Sequence, residues 1–458
     1  MLESGEQSRA GASTGLRARC LSFPETLAQS VANISPTLTP VVIVPLVFAS
    51  AGPGTWLAYL FAMIGLVLVG SNINQFARRS ATPGSLYSFV TRGLGVHFGF
   101  VTGWCLILAY ALTAMAVLAG TVNYSDLLLQ ELHLQVQPLL LYAAGTFGVW
   151  LIAYKDIRLS TRVMLVLEVV SMLLILTLGI IVMVKRRTLI DTAQFRIGNI
   201  NFAGLKAGLI LAIFSFVGYE SATTLGEEAK NPHVSIPRSV LLSALISGAF
   251  FMLTAYIAVM GFDGMGTSLA KSTAPFNDLA RGFGVPSFGV LISIGAVISL
   301  FACALASVNA AARIIFSMSR VGIFTAHAGR AHSTNQTPHL AVSLCCILVF
   351  VIPAVLLARS MGLLDIFNDL STIATFGFLI AYVLISLAAP VYLNRLGELS
   401  GTSVLKSLAA ILFMVPPVIA TVYPMPAAPG DRFPVYFVAY LLAGAGWYLY
   451  QQSRAASQ

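Results

Sequence analysis

The chain has 458 residues, 57% of them hydrophobic and only 9% charged, with a formal net charge of +9. Soluble domains carry nearer 25% charged residues, so an ordinary soluble fold is excluded and an all-α polytopic membrane protein is expected. The 26 basic residues sit mainly at the ends of apolar runs, which fits orientation in a bilayer and argues against nucleic acid as a partner.

At about 20 residues per pass plus loops, the length accommodates about a dozen helices, and the apolar segments can be assigned to 12 transmembrane spans. Residues 1–20 are polar and lack a secretory signal pattern; they are expected to form a disordered cytoplasmic tail. The first span, about 24–50, carries Asn33-Ile-Ser-Pro-Thr-Leu-Thr-Pro40 in its interior. Two prolines four apart remove helical hydrogen bonds and clash with the preceding turn, so this helix is expected to be broken.

Spans two to five are placed at about 55–76, 98–123, 138–154 and 160–184. Glu168 is the only ionisable residue well inside span five, and Lys185-Arg186-Arg187 closes that span. Span six, about 203–226, contains Phe214-Ser-Phe-Val-Gly-Tyr-Glu-Ser-Ala222. A carboxylate at bilayer depth is costly and marks a functional site by default. The glycine beside it weakens the helix, so a second break is expected near Gly218, Tyr219 and Glu220. The charged link Glu227-Glu228-Ala-Lys230-Asn-Pro232 leads to span seven, about 238–262. Spans eight to twelve fall at about 286–318, 339–358, 364–390, 404–423 and 433–452.

Loop charge gives an orientation. With the N-terminus inside, 17 of the 26 Lys and Arg face the cytoplasm and 9 face outward, which puts both termini in the cytoplasm. Lys185–Arg187 runs against that rule. The two breaks lie about 183 residues apart, each opening a block of five spans. Interrupted hydrophobic segments at matching positions point to an inverted-repeat transporter with its site at the midplane. The expected divisions are 1–20 (tail), 21–200 and 201–396 (the five-helix repeats), and 397–458 (helices 11 and 12 with the C-terminal tail).

These residues resemble the amino acid–polyamine–organocation superfamily. Phe214-Ser-Phe-Val-Gly-Tyr-Glu-Ser, Glu227-Glu228-Ala-Lys-Asn-Pro232 and Ile236-Pro237-Arg238 look like its sixth-helix signature. Ala81-Thr-Pro-Gly-Ser-Leu-Tyr87 and Asn309-Ala-Ala-Ala-Arg313 are similar to further elements of the same family. The resemblance implies a LeuT-like fold of two inverted five-helix repeats plus two peripheral helices, with helices one and six broken. It also implies a secondary active transporter (permease) of amino acids or related amines, working by alternating access as ion-coupled symport or exchange. In such proteins carbonyls at the helix-six break hold the amino group, here Phe214, Ser215 and Val217. The anion site would lie at Ser35, Pro36 and Thr37. Pro36 has no N–H to give, although the Ser and Thr hydroxyls can substitute. Relatives that couple to protons place a lysine where this chain has Ser171.

The other candidates keep two readings at this stage. Glu220 is a ligand for a cationic group or a structural partner for neighbouring helices. Glu168 is a coupling carboxylate or the ion-pair partner of Arg162. Glu227, Glu228 and Arg238 read as an inner gate network. Tyr110, Ser307, Asn309 and Thr375 line a cavity or bond between helices. An amino acid or amine is the expected small-molecule substrate, H+ or Na+ the coupling ion, and a cell inner (plasma) membrane the location. Cationic amines and polyamines remain the alternative substrates; a membrane-embedded enzyme or sensor is the alternative class. No GxSxG, Walker or HExxH pattern supports an enzyme, and neither a metal nor another cofactor is expected. The link between spans three and four holds no cysteine, so no disulfide-linked accessory subunit is implied.

Overall fold

The computed structural model describes residues 14–196, 198, 200–420, 422–423 and 428–456. Among them the only extended pairing is a parallel bridge between Leu21 and Ala229; the regular structure is otherwise helical.

The first broken helix shows how local sequence sets the fold. Helix α1 (Phe23–Ile34) starts with a capping box, in which the Glu25 carboxylate accepts from the Ser22 N–H at 2.7 Å and the Ser22 hydroxyl at 2.8 Å. It stops at Ser35, whose backbone takes the left-handed conformation at φ 51. The cause is Pro36, which disfavours the α region in the residue before it and brings no N–H of its own. A π-turn over Thr39–Ile43 follows, then α2 (Val44–Ala51).

The first half continues through α3 (Thr55–Ala77), the short α4 (Ser85–Leu94), α5 (Val96–Glu131), α6 (Pro138–Lys155) and α7 (Ile157–Arg186). The second half opens with α8 (Phe202–Phe214), which ends in a run of turns. A 3-10 turn over Ser221–Leu225 completes that pass. Then come α9 (Pro232–Phe262), the short α10 (Pro275–Gly282), α11 (Pro286–Arg320), α12 (His339–Ala358) and α13 (Leu363–Arg395). Two further helices, α14 (Gly401–Ala420) and α15 (Phe433–Ala456), end the chain.

Among the described residues, 10 stretches are long and apolar enough to cross a membrane. One of them, Phe23–Ala77, contains α1, α2 and α3, while the broken α8 is too short to qualify. The most apolar part of α5 is 83% buried and those of α14 and α15 are 22% buried. Helix α5 is therefore the centre of the bundle, and the last two helices lie at its margin. In lipid, helices associate by close packing and not by exclusion from water. Gly377 of α13 illustrates this, because a Cβ there would sit 2.6 Å from the Cys105 carbonyl of α5.

Of the tail expected to be disordered over residues 1–20, residues 1–13 lie outside the described part; in the remainder Leu16 and Cys20 are buried, and the segment is hydrogen-bonded to the rest of the protein.

Candidate functional site

The two breaks meet. Gly218 sits at φ 89, a conformation open to glycine, and its carbonyl accepts from the Asn33 side-chain amide of α1 at 3.3 Å. Asn33 is fixed in turn by Ser307 of α11, which donates to its Oδ1 at 2.6 Å. The remaining contacts join the N-terminal half of the first broken helix to the C-terminal half of the second. Ser221 donates to the Gln29 carbonyl at 3.1 Å, and the Ala222 N–H donates to the Ser30 hydroxyl at 3.0 Å.

A cavity of about 30 Å³ lies beside the breaks, room for roughly two waters. Asn33, Ile34, Leu38 and Ile43 line it from the first broken helix, and Phe214, Ser215 and Val217 from the second. Thr113, Ala116 and Val117 of α5, Cys303 of α11, and Phe367 and Ser371 of α13 complete the wall. Phe214, Ser215 and Val217 thus converge on one cavity, while Ser35, Pro36 and Thr37 do not line it. The Phe214 carbonyl is taken by the Val217 N–H at 3.2 Å. Among the described residues, the Ser215 and Val217 carbonyls accept no hydrogen bond. A buried polar group left unpaired costs about 1–3 kcal/mol, so these carbonyls favour a donor such as an ammonium group.

Glu220 is fully buried and outside this cavity. Tyr110 of α5 donates to one carboxylate oxygen at 2.5 Å and Tyr382 of α13 to the other at 2.6 Å. The Tyr382 hydroxyl also accepts the Gly218 N–H at 3.2 Å. Both Glu220 carboxylate oxygens are therefore taken by tyrosines of α5 and α13.

Glu168 departs from the ion-pair reading. Arg162 is bonded instead to Glu25 at 2.9 Å. Glu168, buried within the bundle, accepts from the Ser299 hydroxyl of α11 at 2.9 and 3.0 Å. Ser299 shares a 3.0 Å hydrogen bond with Ser35, and Thr37 donates to Ser171 at 2.9 Å. The hydroxyls of the first break thus face α7 and α11, and their partners are Glu168's neighbours.

The inner network is also rearranged. Glu228 is paired with Arg313 of α11 through two bonds of 2.7 and 2.8 Å, with both side chains 1% exposed. Arg238, expected in that role, is exposed. Glu227 is bonded to the Thr14 hydroxyl; burial raises its pKa above the ordinary carboxylate value, against the pull of Thr14 and Arg320. Of the residues left open, Tyr110 serves Glu220 and Ser307 serves Asn33. Asn309 donates to Ser160 at 2.7 Å, and Thr375 donates to the Ser371 carbonyl of its own helix at 2.8 Å.

Sequence reasoning missed Asn33, Tyr382, Ser299 and the role of Arg313. Asn33 carried a usable signal, a carboxamide inside an apolar span three residues before the proline. Tyrosine and serine are common in such spans, so Tyr382 and Ser299 offered none.

An amino acid permease family model matches residues 27–423. The branched-chain amino acid permease BcaP of Bacillus subtilis is 27% identical over 80% of this chain and 81% of its own length. The low-affinity putrescine importer PlaP of Escherichia coli is 25% identical over 72% of each chain. The cationic amino acid transporter 4 of Mus musculus is 25% identical over 73% of this chain, which spans about half (54%) of that longer protein. A solved manganese transporter mutant of Eremococcus coleocola superposes with a TM-score of 0.59 at 11% identity, covering 94% of this chain and 93% of its own. That likeness bears out the LeuT-like fold and speaks to the fold alone.

Proposed function

From its membership of the amino acid permease family, to which the chain belongs by the match over residues 27–423, we propose a secondary active transporter that moves an amino acid or related amine by alternating access. It is an integral membrane protein and not an enzyme. The observation that carries the reading is the meeting of two broken helices at one cavity, with the Ser215 and Val217 carbonyls left for a donor. Carbonyls freed at such breaks suit a positive group.

The lining supports one kind of substrate within that class. Among the described residues, no acidic or basic side chain lines the cavity, and most of its wall is apolar. A single ammonium on an apolar body fits this better than a polyamine, whose second charge would need a carboxylate. With Glu220 held by Tyr110 and Tyr382 outside the cavity, the cationic-amine alternative loses its main support. The alternative of a cationic amine remains testable beside it, since one relative carries putrescine in its name.

Coupling is assigned to Glu168 and a proton. A buried carboxylate with one hydroxyl partner and, among the described residues, no ion pair gains by taking up a proton. Through Ser299 and Ser35 its state reaches the first break. We place the protein in the cell inner (plasma) membrane with both termini cytoplasmic, Ser171 acting as the hydroxyl link between Thr37 and α7.

Uptake into proteoliposomes under imposed proton or sodium gradients tests these points. Leucine uptake driven by the proton gradient is expected, with arginine and putrescine carried less well. Glu168→Gln should leave binding intact and remove the pH dependence of uptake. Uptake driven only by sodium, or unaltered pH dependence in the variant, would overturn the coupling assignment. A wild-type protein that neither binds nor carries any member of the panel would overturn the substrate class.

A further inference from the structure

The segment that precedes α1 pairs with backbone on the far side of the second break. The Arg19 N–H donates to the Glu227 carbonyl at 3.0 Å, and the Cys20 and Leu21 N–H groups both donate to the Glu228 carbonyl at 2.8 Å. In return the Lys230 N–H donates to the Leu21 carbonyl at 2.9 Å. The Arg17 N–H reaches the Gln336 carbonyl at 3.3 Å, and its guanidinium is paired with Asp156 at 2.6 Å. Leu16 is buried, and Cys20 and Leu21 pack with Ile157 and Leu225. Residues 14–21 therefore touch the chain after the second break, the α6–α7 corner and the loop before α12, all on the side assigned to the cytoplasm.

Two anchors make this more than a docked tail. On one side Glu228 is clamped to α11 by Arg313, so the strip that receives the segment is tied to that helix. On the other side the segment runs without a loop into the Ser22 cap of α1. A swing of α1 away from the bundle has to pull residues 19–21 off residues 227–230. From this we infer that residues 14–21 are an inner strap, whose release is required for the cytoplasmic side of the site to open and whose grip sets the balance between closed and inward-open states. The inference rests on the alternating-access reading above.

Cys20 is a built-in reporter. Docked, its thiol is buried and pushed up to about 11, mainly by that burial; released, it would gain both access and thiolate character. The other four cysteines, Cys105, Cys303, Cys345 and Cys346, are buried in the membrane-spanning helices. A membrane-impermeant maleimide applied to the cytoplasmic face therefore reads the strap.

Arg19 offers a clean perturbation, because its side chain is exposed and its backbone sits at φ 50. Arg19→Pro removes the N–H and cannot adopt a positive φ; Arg19→Gly removes the same charge while keeping the N–H and easing the turn. Cys20 labelling should rise about fivefold or more in Arg19→Pro, the loss of two local interactions being enough for such a shift, and stay within about twofold of wild type in Arg19→Gly. Arg17→Asp should also raise labelling, and Arg17→Asp with Asp156→Arg should bring it back. Labelling that is equal in all variants, with Arg19→Pro folded by its melting curve, would overturn the strap. If Arg19→Pro does not fold, Arg17→Asp and its charge-swapped partner decide the question alone. These comparisons need no added substrate, so a failure of the substrate panel leaves them standing.

Discussion

At the scale of single residues, the second break depends on a glycine that cannot be replaced. A Cβ on Gly218 would lie 2.0 Å from the Asn33 amide nitrogen and 2.8 Å from its Cγ, on a backbone at φ 89. Asn33 cannot simply swing aside, since Ser307 holds its other end. Gly218→Ala should cost at least about 1–3 kcal/mol for the backbone conformation, with the lost Asn33 bond in addition. Thermal unfolding should show the loss, and substrate affinity should weaken with it. Gly266→Ala, on an exposed loop with open space around its Cβ, is the control expected to change neither. Equal melting temperatures for the two variants would mean that the break does not need its glycine. The sequence announced this glycine, because Gly, Tyr and Glu in succession stand out inside an apolar run. It did not announce Asn33 as the group on the other side, which only the crossing of two helices 185 residues apart in sequence reveals.

At the scale of elements, span positions were legible because the bilayer fixes length and because proline and charge mark the ends. The span expected at 339–358 is helix His339–Ala358, and that at 286–318 is Pro286–Arg320. The sixth pass was legible as a segment but not in its form: the α-helix stops at Phe214, and a 3-10 turn takes over at Ser221. Partners between elements were least legible, since nothing local distinguishes Arg313 from Arg238 as the mate of Glu228. Burial decides it, with Arg313 and Glu228 each 1% exposed. Glu228→Gln would leave a guanidinium buried without its anion, and removing one member of such a pair costs about 3–5 kcal/mol. A large drop in melting temperature is expected, much of it recovered in the double variant Glu228→Gln with Arg313→Met, where no buried charge remains. A double variant as unstable as the single would show that the carboxylate serves something other than Arg313, the strap backbone being the first suspect.

At the scale of the whole molecule, the awkward feature is Lys185–Arg187, three cations on the side that the charge rule leaves poor. The fold gives two of them local work. Lys185 donates to the Phe283 carbonyl, and Arg186 donates to the carbonyls of Gly261 and Asp263, the latter two at the C-terminal end of α9. Cations at helix C-termini offset the carbonyls left without partners there, so these side chains need not be read as topology signals. Arg187 follows them, exposed, in a left-handed turn at φ 52. The contacts also sort themselves by side: residues 14–21 meet 156, 227–230 and 336, whereas Lys185 and Arg186 meet 261, 263 and 283. Each set is closed, and the two sets lie at opposite ends of α7 and α9. Any assignment of one loop therefore fixes all the others. A cysteine introduced at Arg187 should be labelled by impermeant maleimide from outside intact cells, and one introduced at Ser453, near the end of α15, only after the membrane is opened. Labelling of Ser453→Cys from outside with Arg187→Cys protected would invert the protein, and would move the strap to the outer face together with everything argued from it.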